Sequence, residues 1–398
     1  MKRRELAALF ASVFAVGCGG GGSSGAPSPS PTPGPSPGPS PGPSPGPSPA
    51  APTLTTLNSS LSSPWGLAFL PGGEMLVTQK GGSIVRLAAD GRSTVATLTG
   101  VPAVASAGQG GLLDIALDPD FATTPWVYIS YAEPGTGAEA GKSGTAVARG
   151  QLVGNALQNL AVIFRQSPKA SSSKQFGCRL VFRGDKTLFV ALGELDLGSP
   201  AQDLGTTLGK VVRINRDGSF PTDNPNMGAG ALKGIWSLGH RNPEGAALHP
   251  STGELWISEH GPQGGDEINI SRAAGNYGWP LVSYGCNYGD PVGNACRIGG
   301  GTHAPTYVEP LTYWVPTSIA PSGLAFYTGS MFPEWQGQLF CGALAGQALW
   351  RLTLSGNTVS DRTSMYGNLG ERFRDVRQAP DGSILLLTDS GKLMRISR

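Results

Sequence analysis

Histidine is scarce in this chain, with four residues in 398, so few side chains can titrate near neutral pH. Cysteine is nearly as rare, and the five present include no C-x-x-C pair, which argues against a zinc or thioredoxin-like site. Only 14% of residues are charged, the formal net charge is +2, and no basic run occurs. Those features leave nucleic acid without an electrostatic footprint. No apolar stretch is long enough to span a bilayer. No long segment repeats apolar residues at helical spacing, so a helical bundle is not expected. No low-complexity linker follows residue 52, so nothing divides the remainder into separate domains.

Glycine and proline are abundant, with 60 and 34 residues. Much of the proline lies near the N-terminus, in Pro-Ser-Pro-Gly repeats. The chain begins Met-Lys-Arg-Arg, continues apolar from Leu6 to Val16, and reaches Ala15-Val16-Gly17-Cys18. A basic start, a short apolar run and small residues before a cysteine read as an export signal over residues 1–17. The stretch resembles a bacterial lipobox, which implies cleavage before Cys18 and lipidation of that residue. Gly19 follows rather than Asp, so an outer-membrane anchor facing the periplasm is expected; plain secretion is the alternative. Residues 18–52 are a Gly/Ser/Pro stalk that buries nothing and is expected to be extended or disordered. With Cys18 set aside, four cysteines remain in an oxidising compartment. Cys286 and Cys296 bracket a short loop and are the expected disulfide, leaving Cys178 and Cys341 as a second pair.

Residues 53–398 exceed the usual limit for one simple hydrophobic core, which prompts a search for repeats. One pattern recurs six times: an alternating apolar strand, a Pro/Asp/Gly turn and a second apolar strand. Its copies are "WGLAFLPGGEMLVTQ", "GLLDIALDPDFATTPWVYISYA", "CRLVFRGDKTLFVALGE", "GAALHPSTGELWISEHG", "GLAFYTGSMFPEWQGQLFCGAL" and "RDVRQAPDGSILLLTDSG". Further strands follow several copies. Six four-stranded units predict an all-β, six-bladed β-propeller, whose closure removes exposed sheet edges. Paired β-sandwiches or a β-helix are the alternatives. In the third copy, a turn over Arg183–Lys186 pairs Phe182 with Thr187 and brings Gln175 opposite Glu194.

Several islands are too polar and glycine-rich for core. They are Ala107–Gly111, Leu238–Gly245 and "SEHGPQGGDEINISRAAGNYGWP". Near the C-terminus, alternation places Arg372 and Arg374 on one face. Guanidinium groups of Arg241, Arg372 and Arg374 suit an anionic carboxylate ligand. Glu259, Asp266, Glu267 and turn carbonyls are hard oxygen donors of the kind calcium takes. A planar, anionic, metal-chelating cofactor would satisfy both sets.

"GHRNPEG", "SEHGPQGGDEIN", "GNYGWP", "IAPSGLAFYTG" and "RFRDV" resemble the glucose/sorbosone dehydrogenase family, which includes soluble pyrroloquinoline quinone (PQQ) enzymes of the aldose sugar dehydrogenase type. The similarity runs through residues 60–398 in order, including "AQDLGTTLGKVVRINRDGS". It implies a six-bladed propeller, PQQ and calcium as cofactors, a small sugar substrate and an external electron acceptor. It also implies that Arg241, Asn242, Arg372 and Arg374 contact PQQ. Tyr288 and the Ala320-Pro321-Ser322 turn would line the cofactor, and Gln109 would touch cofactor or substrate. Carbonyls of Gly261 and Pro262 would hold the PQQ-bound calcium, while Glu267 and the Tyr277 main chain would form a second, structural calcium site.

One position departs from the pattern. The family carries a histidine base in a segment resembling H-F-G-x-R-L, and here that place is Gln175, an amide without useful basicity. His240, His249, His260 and His303 all lie far downstream. Three readings follow. Glu194 serves as the base with Gln175 orienting it; or the propeller binds PQQ and calcium but turns over slowly; or it is a tethered binding propeller that oxidises nothing. A calcium-dependent lactonase-type hydrolase is a further alternative.

Overall fold

The computed structural model describes residues 21–22, 25–30, 34 and 50–398. The expected signal segment 1–17 and the lipidated Cys18 lie outside the described residues. Between residues 21 and 52 the described positions carry no helix or strand. Among the described residues, no helix is long and apolar enough to cross a membrane.

Within Ala50–Arg398 the strands form six antiparallel four-stranded sheets. The first blade runs from Pro64 to Thr97, the second from Leu112 to Arg165 and the third from Gly177 to Leu238. The fourth spans Pro243–Trp314 and the fifth Pro321–Met365. The sixth combines Phe373–Ser397 with Thr53–Asn58, whose Thr53 pairs with Ser397. That N-terminal strand adds to the outer side of the last C-terminal strand and closes the ring, so the first and last strands of the propeller share one sheet. Each of the six sequence repeats supplies the two innermost strands of one blade. The propeller expectation therefore holds in both blade number and strand count.

The innermost strands share a second habit. Each begins with a register shift against its neighbour, from Pro64/Leu67 in the first blade to Phe373/Asp375 in the sixth. A bulge bends a strand and re-aims its side chains, as is common at barrel rims and sites. Apolar clusters fill the seams between blades. One joins Leu76, Ile84, Leu112 and Ile129 of the first and second blades. Around the axis the neighbouring strands come close: a Cβ on Gly66 would lie 2.8 Å from Asp114 Oδ1.

Four buried or half-buried charges meet among these inner strands. Arg179 Nη1 lies 3.2 Å from Asp114 Oδ1 and 2.9 Å from Asp375 Oδ1. Arg377 contacts the same two carboxylates, at 3.0 and 2.9 Å. Arg179 also stacks 4.1 Å from the Trp65 ring. The second, third and sixth blades are thereby tied by a neutral quartet.

The third-blade hairpin differs from its expected register in two compensating ways. Phe182 pairs with Leu188, not Thr187, because Arg183 N donates to Thr187 O at 2.8 Å and narrows the turn to Gly184–Lys186. A bulge at Cys178, whose φ is 88°, then returns the offset, so Gly177 faces Leu192. Beyond it Leu195 N donates to Gln175 O at 3.2 Å. The segments cross so tightly that a Cβ on Gly193 would lie 1.8 Å from the Gln175 carbonyl oxygen.

Cys286 and Cys296 are bonded as expected. Cys178 and Cys341 are not: both are free and buried. Cys178 packs with Trp65, Leu113 and Phe176, and Cys341 with Trp256, Ile268 and Leu324, in separate seams. Burial pushes both thiols up, so neither is a reactive thiolate.

Candidate active site

The polar islands converge on two contiguous cavities. The wider, about 590 Å³, is lined by Gln109, Gln175, Asp196, Arg241, Gly261, Pro262 and Tyr288 among others. The narrower, about 280 Å³, is lined by Trp65, Lys80, Arg372, Arg374, Glu244 and Asp389. Gln109, His260 and Ala320 belong to both walls.

Arg241 is held from behind. Its amide donates to Glu259 Oε2 at 2.9 Å, while Glu259 Oε1 lies 3.2 Å from His240 Nδ1. His240 Nε2 in turn meets Ser237 Oγ at 2.8 Å, and its ring stacks on Tyr277. Both histidine nitrogens are therefore engaged, in a supporting role. The Arg241 guanidinium carbon sits 5.2 Å from the Trp279 ring and 6.0 Å from the exposed Tyr288 ring. Its buried Nε has no partner among the described residues. A buried cationic donor left open beside a cavity suits an anion.

Asn242 is fully enlisted. Its Oδ1 accepts from Gly177 N at 3.1 Å, and its Nδ2 donates to Glu244 Oε1 at 3.0 Å. It thus fastens the Gln175 segment to the fourth blade while still lining the wide cavity. Gln109 does similar work: its Oε1 accepts from the Gln175 amide.

Arg372 and Arg374 share Asp389, as the alternation pattern predicts for side chains on one face. Arg374 also pairs with Glu244. Burial opposes ionisation of Asp389 and Glu244, but Arg374 beside both, with Arg372 at Asp389 and His260 at Glu244, holds the two carboxyls low. Lys80 adds a third cation, whose proton affinity is lowered by burial and by Arg374. Three cations thus face two carboxylates in the narrow cavity. The surplus favours an incoming anion.

The Gly261-Pro262 turn is set by Asp266, which the sequence suggested as a direct metal donor. Its Oδ1 accepts from Gly261 N at 2.8 Å, and its Oδ2 from Ile319 N at 2.6 Å and Ala320 N at 2.8 Å. Asp266 therefore clamps two loops together, and burial raises its proton affinity. The Gly261 carbonyl accepts no hydrogen bond among the described residues. Ala320, at φ 50°, lines both cavities, whereas Pro321 and Ser322 line neither. Pro321 O accepts from His260 Nε2 at 2.9 Å, and Ser322 Oγ donates to Phe373 O. Those two residues shape the wall without forming it.

Glu267 and Tyr277 meet at a small cavity of about 20 Å³ with Glu259 and His303. That volume admits one water-sized occupant. Burial and the nearby Glu259 push the Glu267 carboxyl well above the usual range. Asn269 bridges the two glutamates at 3.0 and 3.1 Å, with its own Oδ1 left unpartnered. His303 Nε2 is 3.6 Å from Glu267 Oε1. Among the described residues no three His, Cys, Asp or Glu side chains converge as a metal site, so a cation here would lean on carbonyl and amide oxygens. His249 accepts from the amides of Ser251 and Thr252 and serves its own turn, away from both cavities.

Gln175 reaches the wide cavity, but Glu194 does not. The Glu194 carboxylate is buried and turns into its own loop, accepting from Leu197 N and, at 2.6 Å, from Gly198 N. Burial raises its proton affinity against the pull of those amides. The carboxylate beside Gln175 is Asp196, with Gln175 Nε2 donating to Asp196 Oδ1 at 2.7 Å. Leu195 and Asp196 adopt φ values of 59° and 62°, left-handed for non-glycine residues. Such geometry is uncommon and clusters at functional sites. Sequence reasoning missed Asp196 because strand alternation carries no information past the strand end.

A six-bladed propeller with an arginine-lined, carbonyl-edged cavity at one end of its channel is the frame of a cofactor-binding oxidoreductase. A Glucose / Sorbosone dehydrogenase family model matches residues 61–395, and the chain belongs to that family. It is 44% identical over 356 residues to aldose sugar dehydrogenase YliI of Escherichia coli, covering 87% of this chain and 93% of that protein. Quinoprotein glucose dehydrogenase B of Acinetobacter calcoaceticus is 29% identical, over 83% of this chain and 84% of its own. Among solved structures, the apo form of the soluble E. coli aldose sugar dehydrogenase superposes with a TM-score of 0.81 at 42% identity, covering 87% of this chain and 99% of that one. The PQQ-bound aldose sugar dehydrogenase of Streptomyces coelicolor gives 0.71 at 29% identity, covering 88% and 99%.

Proposed function

We propose that the chain is a PQQ- and calcium-dependent oxidoreductase that converts an aldose to its lactone. The observation that carries this reading is the cation-rich pair of cavities, where Arg241 Nε is buried without a partner beside the Gly261-Pro262 turn. A flat, multiply anionic quinone suits such a slot. Relatives named for PQQ or for aldose sugars support the same choice.

When bound, PQQ supplies a quinone that accepts the hydride and its electron pair from the sugar C1–H. This chain's own residues do the rest. Arg241 would offer its free Nε–H to an anionic group of the cofactor, with Arg372, Arg374 and Lys80 adding charge. Asn242, Tyr288 and Ala320 shape the wall beside it. Carbonyls of Gly261 and Pro262 are hard donors suited to a calcium that bridges turn and cofactor. Glu267, with the Tyr277 main chain, would take a second calcium, whose charge would relieve the two crowded glutamates.

Export with a lipid on Cys18, and an outer-membrane anchor, belong to the same proposal. Mass analysis of the mature N-terminus tests that part. Dye reduction that requires aldose, PQQ and calcium together tests the activity. Failure of the protein to bind PQQ would remove it.

A further inference from the structure

We propose that Asp196 is the proton acceptor for the sugar hydroxyl and that Gln175 orients it. This assignment rests on the function proposed above and goes further by naming the group that replaces the missing histidine. Three carboxylate or imidazole groups line the wide cavity: Asp196, His260 and Asp266. Asp266 is occupied by the amides of Gly261, Ile319 and Ala320. His260 Nε2 is committed to Pro321 O at 2.9 Å, and its Nδ1 lies 3.4 Å from Asn242 Nδ2. Asp196 is the one that keeps lone pairs free toward the cavity, since its Oδ1 takes the Gln175 amide and its Oδ2 meets only the exposed Lys174, at 3.0 Å.

Gln175 is itself fixed in place. Its amide donates to Gln109 Oε1, its carbonyl accepts from Leu195 N, and its φ is 55°. With its main chain so held, Gln175 reaches Asp196 through its side-chain Nε2, which donates to Oδ1 and leaves the second oxygen toward the cavity. Carboxylate and orienting amide arise from two left-handed turns that the crossing at Gly193 locks together. The step balances simply. The hydroxyl O–H bond breaks and its proton passes to Asp196 Oδ2. A bound quinone would take the C1–H hydrogen with its electron pair as the C1–O double bond of the lactone forms. The proton then passes to solvent through the open cavity mouth.

Four variants test the assignment. PQQ affinity by calorimetry should agree within about twofold between the wild type and Asp196→Asn; a wild type that binds no PQQ overturns the proposed function and this assignment with it. With PQQ bound, Asp196→Asn is expected to lower kcat by about 100-fold or more, the usual size of a lost general base, with KM within about threefold. A kcat within threefold of wild type overturns the assignment alone. Binding is read separately, with the cofactor kept reduced so that no turnover occurs. Asp196→Ala should weaken D-glucose binding severalfold and leave its lactone, which lacks the donating hydroxyl, unchanged. Equal losses for both, or no loss, would overturn it. Gln175→Leu should lower kcat by about tenfold, with Gln175→Asn restoring part of it; two variants equal to wild type would remove the orienting role.

Discussion

Gln175 and Asp196 form a 2.7 Å hydrogen bond at the wall of the main cavity, although Glu194 is the carboxylate that strand register brings opposite Gln175. The hairpin explains this. Backbone adjacency was set by the strands, but side-chain direction was set by the loop after them. At Leu195 and Asp196 the chain turns left-handed, sending Asp196 outward to the cavity and leaving Glu194 to cap the amides of Leu197 and Gly198.

Glu194→Gln should therefore act on stability before chemistry. Losing a charged acceptor for two amides costs on the order of 1–3 kcal/mol. Denaturant unfolding should report that loss, while kcat falls far less than in Asp196→Asn. A larger kcat loss for Glu194→Gln, at equal PQQ occupancy, would return the base role to Glu194.

Gln175→His should raise turnover by about tenfold or more, because an imidazole can donate to Asp196 and also accept the sugar proton. The readout is kcat at saturating PQQ and calcium. An unchanged or lower kcat with cofactor bound would mean that the cavity no longer admits a histidine base.

Arg179→Met should destabilise the propeller by about 3–5 kcal/mol, the usual cost of removing one partner from a buried ion cluster. Arg179 joins Asp114 and Asp375 from other blades, so the loss should appear as a lower unfolding midpoint for the whole domain. A midpoint matching wild type would show that Arg377 alone satisfies both aspartates.

Calcium should stabilise the protein more at pH 8 than at pH 5. Burial and Glu259 raise the proton affinity of Glu267, so without metal its folded form keeps a proton that the unfolded chain releases. That contribution to stability is present below the ordinary glutamate range and is lost as pH climbs through the raised value. Calcium takes the ionised form, so its gain grows over the same window. Melting temperatures with calcium and with chelator, at both pH values, check the sign.

Most of the fold was legible because its cause is local and repeated. Alternating apolar residues around a Gly/Asp/Pro turn recur six times, and each copy became the inner hairpin of one blade. Arg372 and Arg374 were legible for the same reason, since alternation within a strand put both on Asp389. The hairpin register came out at the expected pair only through two opposite shifts, at the turn and at the Cys178 bulge. The Cys178–Cys341 pairing failed because parity of cysteines says nothing about which seam each thiol enters. In the Ala320-Pro321-Ser322 turn the left-handed Ala320 alone faces the cavity, a backbone direction that sequence adjacency does not carry.

Calorimetric titration of the purified protein with PQQ, with calcium and then with chelator, tests the central claim most directly. One PQQ per chain in calcium, weakened by about tenfold or more on chelation, is the predicted result. No saturable heat with calcium present would contradict it.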